Sequence, residues 1–172
     1  MYLNVKVPFN STFMDYFDNE SMAVVIYIMG CSHNCKGCHN KQFQDFYYEK
    51  NTKMFTSIEL ADEIIKVARK NETDKVCFEG GDPLYPQNIH AVKDLLIRLS
   101  MNGIKTAIYT GYDIDIVKPY ELNFDFIKCG TFDINQTQEV KKTDEYMSLA
   151  STNQKIYNRK YQLISENGIL FF

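Results

Sequence analysis

The chain has 172 residues, of which 45% are hydrophobic, so it is long enough to bury a substantial core and we interpret residues 1–172 as one domain. Its net charge of −3 argues against a basic nucleic-acid-binding surface, and no apolar run approaches the roughly 20 residues that cross a membrane. Five cysteines cannot all pair within one chain and no secretory signal precedes the first predicted strand, so we expect a cytoplasmic protein with reduced thiols.

The N-terminal segment, residues 1–21, has no clean hydrophobic period and is predicted to be an irregular arm with one short strand near residues 2–7. A continuous, β-branched apolar run then occupies residues 22–28. Such a run is typical of a strand that is covered on both faces, as in a parallel sheet. Gly30 lets the backbone turn sharply after this strand.

Three cysteines follow this strand, at Cys31, Cys35 and Cys38, with the spacing C-x3-C-x2-C. Thiolates are soft ligands that favour zinc, copper(I) or an iron–sulfur cluster. A structural zinc site needs four ligands and a [4Fe–4S] cluster usually takes four cysteines, whereas this loop offers three. A cluster held here would keep one iron open to a substrate or cofactor. The alternative is a zinc site with His33 or His39 as the fourth ligand.

A helix and a second strand come next. Thr56 and Glu59 have the spacing of a capping box, and apolar residues then recur at helical intervals to about residue 70. Residues 75–79 are predicted to form a strand that runs into Gly80-Gly81-Asp82-Pro83-Leu84. The two glycines let a ligand approach the backbone, Asp82 adds an acceptor and Pro83 stiffens the turn. By itself this is a common turn, but sites in parallel α/β folds gather at the C-terminal ends of strands.

A second helix, with Asn88 as its predicted cap and Asn102-Gly103 as its end, leads to a third strand over residues 105–109. Thr110-Gly111-Tyr112 is another glycine turn at a strand end. The second and third strands lie about 30 residues apart, which matches a βαβ unit. A fourth strand is predicted over residues 124–129.

The C-terminal part is more polar. Residues 133–155 are predicted to be a loop whose densest polar cluster is at 151–154. Residues 157–164 and 169–172 resemble the strands of a hairpin closed by Asn167-Gly168. We therefore predict an α/β fold with a mostly parallel sheet, in which residues 22–130 form the βα core and residues 131–172 form a C-terminal hairpin or extension.

The strand-end motifs, in this order, resemble those of the radical S-adenosylmethionine superfamily, whose hallmark is C-x3-C-x2-C with a later Gly-Gly-Glu/Asp-Pro. Within it the chain is most similar to the activating proteins of anaerobic ribonucleoside-triphosphate reductases. The resemblance rests on residues 30–40, 80–88, 110–112 and 151–154. It implies a partial, open βα barrel.

The resemblance also implies cofactor roles. Cys31, Cys35 and Cys38 would hold one [4Fe–4S] cluster, whose open iron would chelate the amino and carboxylate groups of S-adenosylmethionine. The methionine end of this cofactor would contact Gly80, Gly81, Asp82 and Pro83. The adenine would lie near Gly37 and His39, on either side of Cys38. The ribose would lie near Thr110 and Gly111.

The implied reaction begins with an electron from a flavodoxin-like or other low-potential donor. It yields a 5′-deoxyadenosyl radical that takes a hydrogen atom from a glycine on the large reductase subunit, which would also cover the open side of the barrel. No catalytic side chain is implied, because the cofactors supply the reactivity and the protein orients them.

The chain departs from the family at three places. An Asp-Gly-Pro-Gly-like turn usually precedes the first strand, where this chain has residues 16–21. An aromatic residue is common before the third cysteine, where this chain has Gly37, so an adenine contact at that position would use the backbone. An acidic residue is common after the fourth strand, where this chain has Cys129. We interpret Cys129, like Cys77 within an apolar strand, as structural.

Two other functions fit parts of the pattern. A small radical S-adenosylmethionine enzyme that acts on a small molecule, such as a 7-carboxy-7-deazaguanine synthase, would share the cluster but not the segment at residues 151–154. A zinc-stabilised binding module without enzymatic activity would use the three cysteines and His39, and it would leave the Gly-Gly-Asp-Pro turn unexplained.

Overall fold

A computed structural model describes residues 1–19 and 22–172. Its strands are β1 (Tyr2–Lys6), β2 (Asn10–Thr12), β3 (Ala23–Ile28), β4 (Thr52–Thr56), β5 (Lys75–Gly80), β6 (Lys105–Tyr109), β7 (Phe126–Cys129), β8 (Lys141–Lys142), β9 (Tyr146–Ser148), β10 (Lys155–Asn158) and β11 (Ile169–Phe171). Its helices are α1 (Ser57–Lys70), α2 (Ile89–Met101) and α3 (Ile114–Val117), with 3₁₀ turns at Lys41–Gln44, Lys118–Tyr120 and Ile134–Gln136. None of the described helices is long and apolar enough to span a bilayer.

The main sheet has the strand order β10-β7-β6-β5-β3-β1-β4, and β2 pairs separately with β3. Strands β3, β5, β6 and β7 are parallel neighbours, whereas β1, β2, β4 and β10 join the sheet antiparallel. No pairing joins β10 to β4 among the described strands, so the sheet is open. The predicted α/β class with a parallel centre is confirmed.

Both faces of the main sheet are covered, which explains the continuous apolar run in β3. On one face, Ile26 and Phe78 pack with Leu60 of α1 and Leu95 of α2 in one buried cluster. A second cluster forms on the other face, where sheet residues pack against the N-terminal arm and the short strands near the C-terminus. Its buried members are Tyr16, Phe17, Ala23, Val25, Cys77, Ala107, Met147, Leu149, Ile156 and Leu170.

The two predicted helices are present, but only one has a side-chain cap. At α1, the Glu59 backbone N–H donates to the Thr56 hydroxyl over 3.2 Å, and the Thr56 N–H donates to the Glu59 carboxylate over 2.9 Å, so the capping box is confirmed. Asn88 lies at the predicted N-cap position of α2, but its side chain makes no cap hydrogen bond there. The buried Asn88 amide instead donates to the Met29 and Asp82 carbonyls over 2.9 and 3.1 Å, and it thereby joins two strand-end turns.

The ends of the chain are more ordered than predicted. The short strand expected near residues 2–7 is β1, and a second strand, β2, follows it within the arm. Of residues 16–21, where the chain departs from the family's Asp-Gly-Pro-Gly-like turn, residues 20 and 21 lie outside the described residues. The predicted loop at 133–155 contains β8 and β9, which form a second sheet with β11 in the order β11-β9-β8. Local periodicity could not indicate strands of two or three residues, because their pairing partners are remote in sequence.

The C-terminal turn is confirmed, but its flanking strands pair differently from a simple hairpin. Glu166 and Ile169 exchange both backbone hydrogen bonds around Asn167-Gly168, at 2.8 and 2.9 Å. Strand β10, however, adds to the edge of β7, and β11 adds to β9. These pairings bury Ile156 and Leu170, which an isolated hairpin would leave exposed.

Candidate metal and cofactor site

Three turns meet at one edge of the main sheet, because they follow the parallel strands β3, β5 and β6. They line a cavity of about 310 Å³. The sequence-predicted residues that line it are Cys31, Cys35, Gly37, Cys38, His39, Gly80, Gly81, Thr110 and Gly111. Asp82 and Pro83, which were also predicted to contact the cofactor, do not line this cavity.

Asp82 lies behind the cavity wall and joins the three turns. Its side chain is 1% exposed, and its carboxylate accepts hydrogen bonds from the Leu84 N–H over 2.8 Å and from the Gly111 N–H over 2.9 Å. The Thr110 hydroxyl donates to it over 2.9 Å and the His33 ring Nε2 over 2.7 Å. Four donors within the protein therefore satisfy Asp82, which identifies it as a clamp between the cysteine loop and both glycine turns.

The glycine pair packs directly against neighbouring backbone. Gly80 has φ +116°, and a Cβ at that position would lie 2.5 Å from the Ile28 carbonyl oxygen. At Gly81, a Cβ would lie 2.4 Å from the Phe43 carbonyl oxygen and 2.5 Å from that of Gly30. The motif therefore has two roles, since it exposes backbone to the cavity and also lets the cysteine loop approach β5.

Replacement of Gly81 with alanine is expected to push the cysteine loop out of place, because backbone oxygens cannot rotate away as side chains can. We expect a loss of about 2–3 kcal/mol in the free energy of unfolding and impaired metal loading, measured by thermal denaturation and by iron content after anaerobic reconstitution. Gly103→Ala is the matched control, since no atom lies within 4 Å of its added Cβ. Its positive φ should cost about 1 kcal/mol without affecting iron content. Equal effects of the two substitutions would contradict the predicted clash.

All three loop cysteines are free and partly exposed. Partial burial raises the pKa of the Cys31 thiol to about 11, so metal binding must displace its proton. Cys77 and Cys129 are also free, but both are buried in the core, at 0% and 3% exposure. Their positions agree with the structural interpretation.

The arrangement of ligand atoms does not match a mononuclear zinc site on the three cysteines. Zinc–sulfur bonds of 2.3 Å in a tetrahedron place the sulfurs about 3.8 Å apart. Within residues 1–19 and 22–172, the one group of three possible ligand atoms within 4.8 Å of one another is Cys31, His33 and Asp82, so the three thiols form no such group. The His33–Asp82 distance of 2.7 Å is that of a hydrogen bond. Three more widely spaced thiols suit a centre larger than one ion.

Phe132 was not identified from the sequence. It follows β7, lines the cavity, and its ring centroid lies 5.8 Å from that of His39. A Cβ on Gly37 would lie 3.4 Å from the Phe132 ring. The structure thus places an aromatic ring beside Gly37, the residue before the third cysteine.

The polar segment at residues 151–154 holds the loop that follows β7. The Asn153 amide donates to the Thr131 carbonyl over 2.9 Å, and the Gln154 amide donates to the Gly130 carbonyl over 3.3 Å. Gln154 also lines the cavity, together with Met147 and Leu149 of the second-sheet region. This segment therefore contributes to the cavity wall.

Three charged residues that line the cavity, Asp15, Glu79 and Lys128, were also missed. Glu79 of β5 and Lys128 of β7 lie on the sheet face that carries the second cluster, at inward positions of otherwise apolar strands. Burial raises the pKa of Glu79 to about 8, with a further contribution from Asp15, while Lys128 opposes the shift. Burial lowers the pKa of Lys128. A charged residue near the end of an apolar strand was the available sequence signal.

Comparisons with known proteins agree with this site. The model of a family described as "4Fe-4S single cluster domain" matches residues 18–157. Anaerobic ribonucleoside-triphosphate reductase-activating proteins are similar to this chain: that of Enterobacteria phage T4 is 27% identical over 110 residues, covering 63% of this chain and 68% of its own. The Salmonella typhimurium protein is 30% identical over 108 residues, which cover 59% of this chain and 66% of that protein. The Pasteurella multocida protein is 26% identical over 150 residues, which cover 83% of this chain and 91% of that protein.

The chain therefore spans about two thirds of the phage and Salmonella relatives. Among solved structures, QueE from Escherichia coli matches with a TM-score of 0.48 and 20% identity, over 63% of this chain and 53% of QueE.

Proposed function

The chain belongs to the 4Fe-4S single cluster domain family, and from this premise we propose that it is a radical S-adenosylmethionine enzyme that activates an anaerobic ribonucleoside-triphosphate reductase. The observation that carries the proposal is that a three-cysteine loop and two glycine turns border one cavity. The names of the similar activating proteins support the choice of reductase as the target. We further propose that residues 1–172 form a single domain that works in the cytoplasm.

The residues present fit the two cofactors. Cys31, Cys35 and Cys38 would hold the [4Fe–4S] cluster, which is supported by free thiols that border the cavity and do not all lie within 4.8 Å of one another. The backbone of Gly80 and Gly81 receives the methionine end of S-adenosylmethionine. When bound, the two cofactors would supply the one-electron chemistry that removes a hydrogen atom from a glycine of the reductase.

The other predicted contacts take the remaining parts of S-adenosylmethionine. Gly37 and His39 would border the adenine, and Phe132 would add an aromatic surface beside them. Thr110 and Gly111 border the ribose. Asp82 positions these turns from behind, and Pro83 stiffens the turn that contains the glycines.

The remaining residues orient the reactants and exclude water. Met147 and Leu149 contribute apolar surface to the cavity, which limits water there. The open side of the cavity receives the glycine-bearing loop of the large reductase subunit. A flavodoxin-like or other low-potential donor provides the electron, and neither nucleic acid nor a membrane takes part.

The proposal is tested by anaerobic reconstitution with iron and sulfide, followed by addition of reductant, S-adenosylmethionine and the large reductase subunit. We expect about four irons per chain, release of 5′-deoxyadenosine, and a glycyl-radical signal on the reductase by electron paramagnetic resonance. Omission of S-adenosylmethionine is the control, and it should remove the signal.

Two outcomes would contradict the proposal. Cleavage of S-adenosylmethionine without a reductase radical would favour a small-molecule substrate, such as that of a 7-carboxy-7-deazaguanine synthase. Colourless protein with one zinc and no iron would favour a zinc-binding module instead.

A further inference from the structure

A row of polar side chains lies on one face of the sheet, one from each of the four parallel strands, and three of them, Glu79, Tyr109 and Lys128, line the cavity. Tyr27 of β3 pairs in register with Glu79 of β5, and Tyr109 of β6 pairs with Lys128 of β7. Since β5 and β6 are also parallel neighbours, the four residues lie side by side at the C-terminal ends of their strands. Polar residues at this depth require hydrogen-bond partners or a ligand.

Glu79 has an unused hydrogen-bonding atom. Its Oε1 is buried and has no hydrogen-bond partner. In the described part of the chain, no ion pair joins its carboxylate to Lys128, whose ammonium group lies 5.4 Å from the centre of the Tyr109 ring. Tyr109 is already engaged, because its hydroxyl donates to the Asp15 carbonyl over 2.7 Å. Tyr27 does not line the cavity, so Glu79 and Lys128 are the members of the row that can contact a ligand.

We propose that Glu79 and Lys128 bind a backbone peptide group of the glycine-bearing loop of the reductase. This inference rests on the proposed function and names the residues that recognise its protein substrate. Met147 and Leu149 add apolar surface to the same cavity, which suits an extended segment with a glycine at its tip. Each peptide group presents one donor and one acceptor, which Glu79 and Lys128 can match.

The protonation of Glu79 favours this ligand. Its raised pKa of about 8 means that the carboxyl is largely neutral at pH 7, so it can donate through O–H and accept through Oε1. A neutral carboxyl matches an uncharged amide better than it matches the ammonium group of S-adenosylmethionine. The titratable groups that influence Glu79 are Asp15 on the arm, Lys128, Tyr27, Tyr109 and Cys77. Burial raises the pKa values of the two tyrosines and of Cys77, so these three stay neutral near pH 8.

The test compares Glu79→Leu and Glu79→Gln in the full chain, loaded with cluster and S-adenosylmethionine. Both the dissociation constant for the reductase subunit and the KM for it in glycyl-radical formation are measured. Leucine leaves the peptide group unpaired, so both values should rise about 10- to 100-fold. Glutamine offers one donor and one acceptor in the same shape, so its values should stay within about threefold of the wild type. Glu63→Leu, on the outer face of α1, is the matched control.

The pH profile gives a second measurement. The wild-type affinity for the reductase should fall as the pH rises through about 8, because the ionised carboxylate of Glu79 cannot donate. This decline should be absent in Glu79→Gln, whose amide does not titrate, and the comparison remains available if Glu79→Leu fails to fold. Identical profiles for wild type and Glu79→Gln would overturn the proposal.

Two further outcomes would also overturn it. One is an unchanged KM for the reductase in Glu79→Leu. The other is a KM for S-adenosylmethionine that rises by the same factor, which would assign the row to the cofactor. If the wild-type enzyme cleaves S-adenosylmethionine but forms no glycyl radical, the proposed function itself has failed. That result can be distinguished from the two outcomes above, which concern only the role of Glu79.

Discussion

Replacement of Cys35 with alanine is expected to abolish cluster binding and, with it, cleavage of S-adenosylmethionine. Cys35 is the central ligand of a loop that offers only three thiols, so its loss leaves two and no neighbouring cysteine can substitute. Outside the loop, Cys77 and Cys129 are buried in the core, at 0% and 3% exposure, and cannot reach the cavity without unfolding. Iron and sulfide content after anaerobic reconstitution, the visible absorption of the cluster, and 5′-deoxyadenosine release measure the effect.

Cys129→Ala is the appropriate control. It also removes one thiol, but from the core cluster that faces α1 and α2. It should cost about 1 kcal/mol in stability and leave the iron content at the wild-type value. Full retention of cofactor cleavage by Cys35→Ala would contradict the assignment of the cluster to this loop.

Replacement of Asp82 with alanine is expected to have the largest effect on stability. It removes the carboxylate that accepts hydrogen bonds from four donors, on His33, Leu84, Thr110 and Gly111. The donors of Leu84, Thr110 and Gly111, on the two glycine turns, are shielded from water. Hydrogen bonds to a charged group contribute about 1.5–3 kcal/mol each but do not add fully, so we expect a loss of about 3–5 kcal/mol. The melting temperature should fall by roughly 10 °C, and affinity for S-adenosylmethionine should fall because the turns separate.

Asp74→Ala provides the comparison for Asp82→Ala. Asp74 pairs with Lys105 at the surface over 2.9 Å, with both side chains about half exposed, so its loss should cost no more than about 1 kcal/mol. Thermal denaturation and titration with S-adenosylmethionine distinguish the two variants. A wild-type melting temperature in Asp82→Ala would show that the clamp is dispensable.

The parts of the structure that the sequence predicted are those with a local signal. The apolar run before Cys31 identified β3, and the capping box at Thr56 identified the start of α1, since each depends on residues within one turn or strand. Asn88 has the same local signature of a cap, yet its amide bonds to Met29 and Asp82 carbonyls. Tertiary contacts determined its role, and those are not visible in a local pattern.

The candidate site likewise has features that a local sequence pattern predicts and features that only the tertiary structure reveals. The cysteine spacing and the glycine turns are short motifs whose meaning depends little on context, and the structure places them around one cavity. The internal role of Asp82 could not be predicted, because three separate turns must meet before its four donors surround it. Glu79 and Lys128 depend on strand register, since a shift of one residue would place them against the helices instead.

The close packing of Gly80 and Gly81 against backbone carbonyls has a consequence for ligand affinity. The chain has already ordered this part of the cavity during folding, and no side-chain rotamers need to be restricted when a ligand arrives there. The conformational entropy that binding usually costs is therefore small on this side, so the glycine turns act as a preorganised surface. Affinity lost through a perturbed turn should then appear as a less favourable entropy of binding.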